Sequence, residues 1–315
     1  MIRAAILFLL LLVACVGGVS AQGGTAAMKV EPADGFSYPY YLYVPPAMRE
    51  RSAGSRTLSL LVMPNNSGKL DDDLAVHEAD VKRRIQQAEK AFEKLGVAIL
   101  MPVFPRPKTY WKIYTHALDR DAMLTDRKEY KRFDLQLLAM IENARKALRD
   151  QGIKVDEKVL MYGFSAAGMF VDRFAFLHPK SVKAAAVGAP GGWPIAPASS
   201  YDGKPLRYPL GVSDLKAVAG RKLDLKALRK VPFFVFMGEK DDNDSLVFTD
   251  GYEPEDKELV FPLFGATPIA RWEKSKELYK QSGLSAEFKL YPDTPHKVTM
   301  AMIEDIQAFF AKHLN

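Results

Sequence analysis

Cysteine is almost absent from this 315-residue chain: its one copy, Cys15, stands inside the first hydrophobic run. No disulfide can form within the rest of the chain, so a domain of this length must draw its stability from core burial. Long apolar runs are equally scarce. Only residues 1–21, MIRAAILFLLLLVACVGGVSA, carry one; it follows Arg3 and ends in the small residues Val19-Ser20-Ala21. That pattern reads as a secretory signal and is too short for a membrane span. The expectation is an exported protein, periplasmic or secreted, with residues 22–315 forming one soluble domain. Leu12-Val13-Ala14-Cys15 also has the form of a lipobox. Cleavage after Ala21 and a lipid anchor at Cys15 therefore both stand as exits.

A strong charge imbalance is missing too. The 44 basic and 38 acidic residues leave a net charge of +6, spread along the chain without a concentrated basic face, which argues against nucleic acid as partner. Neither GxGxxG nor GxxxxGK occurs, so no dinucleotide or phosphate cradle and no cofactor are expected. Acidic residues near 241–244 lack the glycine and terminal Glu of an EF-hand, so no metal is expected either.

What the chain does contain is alternation. Runs of strand-forming residues occupy 38–44, 57–63, 97–103, 158–163, 182–188, 232–237 and 286–291. Several are apolar throughout, as strands covered on both faces are. Between them, Val81, Ile85, Ala88, Phe92 and Leu95 recur at helical spacing, as do Leu138, Ile141, Ala144 and Leu148. Further helices are expected after Ser165, over 268–282, and around Ile303 to Phe310. The pattern predicts a three-layer α/β/α sandwich on a mostly parallel sheet. Residues 190–228 and 243–264, rich in Pro, Gly and mixed aromatics, read as irregular insertions of the lid or rim kind.

The segment KVLMYGFSAAG, residues 158–168, has the form of a nucleophile elbow: an apolar strand, a small-residue turn carrying Ser165, then a helix. It reads GxSxA followed by Gly168, where GxSxG is usual. A serine hydroxyl needs a base, and the base needs an orienting acid. Of five histidines, His77 and His116 precede the elbow, His178 ends its helix, and His313 closes the chain; only His296 directly follows the last strand, in YPDTPHKV. The acid is expected after the preceding strand, in GEKDDND, where Asp241 is the first choice and Asp244 the second.

Ser165, Asp241 and His296, in that chain order on successive sheet loops, resemble the α/β-hydrolase superfamily. The segments GFSAAGMFVDRFAFLHP and VKAAAVGAPGGW are similar to secreted esterases of the polyhydroxybutyrate-depolymerase and feruloyl-esterase kind, and to prolyl-oligopeptidase-like hydrolases. The resemblance implies an α/β-hydrolase fold and an oxyanion hole built from the Ala166 N–H and the loop after 57–63, where Asn65 and Asn66 stand. The basic, aromatic loop PVFPRPKTYWKIYTHALDRD places Tyr110, Trp111, Tyr114 and His116 at the sheet's carboxyl end as candidate pocket lining, with Trp193 from the insertion. The function expected is a serine hydrolase acting through an acyl-enzyme, with a small-molecule or polymer ester as substrate. A peptidase, and a ligand-binding protein on a hydrolase scaffold, are the alternatives.

Overall fold

All seven apolar runs singled out in the sequence enter one eight-stranded sheet. The computed structural model describes residues 27–46, 57–248 and 251–314; the hydrophobic run of residues 1–21, with Cys15 and Ala21, lies outside the described residues. The strands are β1 (Met28–Val30), β2 (Tyr40–Tyr43), β3 (Leu60–Val62), β4 (Ala98–Pro102), β5 (Val159–Phe164) and β6 (Val182–Gly188). After the two-residue hairpin β7 (Ser200–Tyr201) and β8 (Lys204–Pro205) come β9 (Phe233–Gly238) and β10 (Ala286–Tyr291). The sheet order is β1-β2-β4-β3-β5-β6-β9-β10. β2 runs antiparallel to β1 and β4, while every other pair is parallel. β3, β4 and β9 are buried along their whole length, as parallel strands covered on both faces must be.

The longer helices are α1 (Leu74–Ala91), α2 (Phe133–Asp150), α3 (Ala166–Leu177), α4 (Pro254–Phe264), α5 (Pro268–Gln281) and α6 (Met300–Ala311). α2, α3 and α5 pack on one face through Phe133, Leu137, Phe170, Phe174 and Tyr279. The opposite face is closed by α1 and α6 through Val81, Ile85, Met302 and Ile306. Two helix starts are written plainly: Asp73 accepts from the Ala75 N–H, and Thr299 from the Met302 N–H. Among the described residues, no helix is long and apolar enough to cross a membrane.

The two insertions are folded more tightly than their composition suggests. Trp193, Leu206, Leu210, Tyr252, Val260 and Phe264 form a third apolar cluster with Tyr114 and Met169. The stretch 243–264, read as irregular, instead carries α4. Its Pro254 sits in the first turn, where the missing N–H costs nothing, and Glu253 and Asp256 close a reciprocal capping box. A buried ion pair fastens both insertions to α5. The Arg271 guanidinium reaches Asp244 at 2.7 Å and donates from Nε to the Gly192 carbonyl at 2.9 Å.

Asp244→Ala would leave that guanidinium buried and unpaired, which costs about 3–5 kcal/mol. The expected result is a large drop in unfolding free energy in a urea titration. An exposed acid such as Asp242→Ala should move it by less than about 0.5 kcal/mol.

Candidate active site

Ser165 sits between β5 and α3 in a backbone conformation, φ +61° and ψ −129°, that L-residues rarely adopt. Holding a residue there costs on the order of 1–3 kcal/mol, so the surroundings must impose it. They do so by contact between backbones. A Cβ at Gly163 would stand 2.1 Å from the Ala167 carbonyl oxygen, and one at Gly168 would stand 2.3 Å from that of Gly188. The Ser165 N–H in turn donates to the Gly188 carbonyl at 2.9 Å. The steric demand thus falls on positions 163 and 168, and Ala167 is accommodated as a buried methyl.

Asp241 and His296 are brought together by two loops that grip each other. A Cβ at Gly238 would lie 2.0 Å from the Thr294 carbonyl oxygen. Lys240 donates its N–H to that same carbonyl at 3.0 Å, and Glu239 donates to Tyr291 at 2.9 Å. Asp241 is 4% exposed; its carboxylate meets His296 Nδ1 at 2.8 and 3.0 Å and accepts the Asn243 N–H at 3.1 Å. With Nδ1–H donated to the carboxylate, the neutral ring presents a lone pair at Nε2. Phe164 packs against the imidazole, ring centres 4.8 Å apart. Asp244, the second choice, is committed to Arg271.

Nε2 and the Ser165 hydroxyl share a neighbour that sequence reasoning did not single out. The Asn243 amide nitrogen lies 3.0 Å from Nε2 and 3.5 Å from Ser165 Oγ. Among the described residues, no hydrogen bond joins Oγ and Nε2 directly. An Asx turn, in which the Asp241 carboxylate accepts the Asn243 N–H, fixes the backbone at 243, but it would do so for any side chain there and so left no signal for the amide.

Ala166 is the first residue of α3, where N–H groups lack an intrahelical acceptor, so its amide is available beside the hydroxyl. Asn65 is fully buried and committed. Its Nδ2 donates to the Phe104 carbonyl at 2.9 Å, and its Oδ1 accepts the Phe104 N–H at 3.0 Å. Asn66, one residue on, lines the same cavity as Ser165 and His296.

That cavity, about 370 Å³, opens between the ends of β3, β4 and β5 and the helices α1 and α6. None of Tyr110, Trp111, Tyr114, His116 and Trp193 lines it. Trp193 and Tyr114 are interior, Trp193 stacking on Phe264 at 4.4 Å and Tyr114 lying under the Arg106 guanidinium at 3.7 Å. Tyr110 lies under Arg127, and Trp111 is 43% exposed. His116 is fully buried, and burial holds it down at about pKa 3. It is therefore neutral and donates from Nε2 to the Phe104 carbonyl at 2.7 Å. Beside it, Ser67 Oγ is 2.9 Å from His77 Nδ1, tying the loop after β3 to α1.

Gly168→Ala would place a methyl where the β6 backbone passes, and overpacking of this kind costs about 1–3 kcal/mol. Ala167→Gly should cost less than about 1 kcal/mol, the helix propensity difference alone. Urea unfolding of the two variants checks the contrast; equal stabilities would mean that the elbow does not depend on the approach at position 168.

No protein family and no curated protein matches this sequence. Solved structures do. A poly(3-hydroxybutyrate) depolymerase from Bordetella parapertussis superposes with a TM-score of 0.57 at 18% identity, over 93% of this chain and 92% of its own. Poly(aspartic acid) hydrolase-1 from Sphingomonas sp. KT-1 gives 0.56 at 20% identity, over 90% and 97%. Carboxyl esterase 2 from the mycorrhizal fungus Tuber melanosporum gives 0.52 at 12% identity, over 94% and 90%. Together with the strand order and the turn at Ser165, these likenesses show that the chain has the α/β-hydrolase fold.

Proposed function

We propose that the protein is an exported serine hydrolase that cleaves carboxylic esters through an acyl-enzyme on Ser165. One observation carries the reading: His296 receives Asp241 on Nδ1 and turns Nε2 toward the amide nitrogen that also touches Ser165 Oγ, at the wall of a cavity. The likeness to esterases and hydrolases of the same fold supports it.

In the arrangement described, the Asn243 amide donates into the Nε2 lone pair. When substrate seats, the Ser165 hydroxyl takes that place. Oγ attacks the carbonyl carbon while Nε2 takes the hydroxyl proton, and the Asp241 carboxylate stabilises the imidazolium that forms. The oxyanion is met by the Ala166 N–H and by Asn66, since the Asn65 carboxamide is held by Phe104. Loss of one such donor costs about 3–4 kcal/mol of transition-state stabilisation. Nε2–H then protonates the departing alkoxide, leaving the acyl group on Oγ. Water attacks that ester with Nε2 again as base, and the acid leaves with Ser165 restored. Alkoxides need less acid assistance than amines, which favours esters over peptides. Export rests on the character of residues 1–21, and a lipid anchor at Cys15 is the second route out.

A fluorophosphonate probe should label the protein, and Ser165→Ala should abolish labelling with the fold intact. His296→Ala and Asp241→Asn should each lower kcat against p-nitrophenyl esters by about 10³-fold or more. Absence of labelling in folded wild-type protein would leave only the ligand-binding alternative, and faster cleavage of peptide anilides than of esters would favour the peptidase. Asp241→Asn at near-wild-type rate would remove Asp241 from its role.

A further inference from the structure

One helical stripe borders the cavity: Arg84, Gln87, Ala88 and Ala91 follow the spacing i, i+3, i+4, i+7 on α1. Arg84 brings the one full charge to the lining among the described residues, apart from any carried by the His296 imidazole, and no carboxylate lines the cavity. Its Nε contacts Asp80 Oδ2 at 2.6 Å, while Asp80 Oδ1 pairs with Arg83. A single carboxylate between two guanidiniums leaves the trio with one net positive charge. Fixing Nε also sets the plane of the fork, whose terminal nitrogens carry four of the five N–H donors.

The facing wall is of another kind. Met101, Tyr162, Phe164, Val298 and Ile303 present carbon, and Tyr162 is so buried that its phenol is pushed well above its ordinary range, with the Arg84 charge pulling the other way. A strongly hydrated group has no partner on that side, whereas a hydrocarbon chain or ring does. Apart from Ser165, His296 and the Tyr162 phenol, the polar side chains of the lining, Asn66, Ser67, Arg84 and Gln87, come from α1 and the loop after β3. A ligand that satisfies both walls is therefore amphipathic: carbon against the strand ends and α6, an anion toward α1.

We propose that the ester taken by this site carries a carboxylate, bound by Arg84 at the α1 side of the cavity while its carbonyl carbon lies at Ser165. The inference rests on the serine hydrolase reading and adds the substrate class. A guanidinium suits a carboxylate because its fork can donate two parallel hydrogen bonds to the two oxygens, which a single amide such as Gln87 cannot do.

Two matched pairs of substrates separate a carboxylate on the acyl side from one on the alcohol side. The first is 4-nitrophenyl hydrogen adipate against 4-nitrophenyl hexanoate, and the second is the butyrate ester of 4-hydroxybenzoate against phenyl butyrate. In at least one pair, Arg84→Met should lower the ratio of anionic to neutral kcat/KM about tenfold, and Arg84→Lys should restore part of it. Added salt should shrink the wild-type preference, because the side chain is 40% exposed and screened. An unchanged ratio in both pairs overturns the proposal. Calorimetric binding of the same anionic esters to Ser165→Ala, with and without Arg84→Met, reads the carboxylate contact without turnover. If wild-type protein neither labels nor cleaves any ester, the hydrolase reading fails while the calorimetry still decides whether Arg84 binds the anion. Equal affinity of both proteins for the anionic esters also counts against it.

Discussion

At the end of β5, chain segments approach more closely than any side chain would permit: Gly163 against the Ala167 carbonyl, Gly168 against that of Gly188. These contacts leave Ser165 no relaxed conformation, and the φ of +61° is their consequence. A hydroxyl held this way cannot sink back toward the sheet. It projects beside the free N–H groups at the start of α3, so one turn sets both the hydroxyl and the donors next to it. The strain is sustained by burial on both sides, since β5, β6 and α3 form the centre of the sandwich.

His296 is held by a second pair of touching backbones, Gly238 on Thr294. Because β9 and β10 are parallel neighbours in register up to Gly238 and Tyr291, their two exit loops leave the sheet side by side. Asp241 and His296 need only short excursions to meet. The carboxylate can be buried because His296 and the Asn243 N–H satisfy its oxygens; an unpaired buried carboxylate would cost several kcal/mol. Asn243 thus bonds Asp241 through its backbone N–H and His296 through its side chain.

The parallel sheet could be read from sequence because buried strands such as AILMP and FFVFMG have a composition that little else explains. β1 escaped notice because its three residues lie at an edge and are mostly exposed, with no periodicity to betray them. α4 was hidden by its prolines: Pro254 and Pro262 look like breakers unless one knows that the first falls in the opening turn. Ser165, Asp241 and His296 could be singled out because each follows a strand, and chain order fixes which loops are neighbours. The role of Asn65 could not be read, since its carboxamide is taken up by Phe104, a residue 39 positions away. Long-range hydrogen bonds of that kind leave no local pattern.

The cavity was the least legible part, for a related reason. An aromatic loop at the carboxyl end of a sheet is a natural pocket wall, but only while nothing else fills the space in front of it. Here the insertion after β6 does so: Trp193, Leu206 and Leu210 pack with Tyr114 and Met169, and Trp193 donates its indole N–H to the Leu210 carbonyl at 3.0 Å. With that side closed, the opening beside Ser165 lies toward α1 and α6, bounded by one helix stripe and by apolar side chains from strand ends and α6. A stripe of Arg84, Gln87, Ala88 and Ala91 reads in sequence as the solvent flank of an amphipathic helix, next to the core stripe of Val81, Ile85 and Ala88. Ala88 belongs to both, facing the core on one side and bordering the cavity on the other. The seating of α1 on its core contacts and through the Ser67–His77 bond therefore shapes the cavity, while the insertions that look most like a lid do not line it.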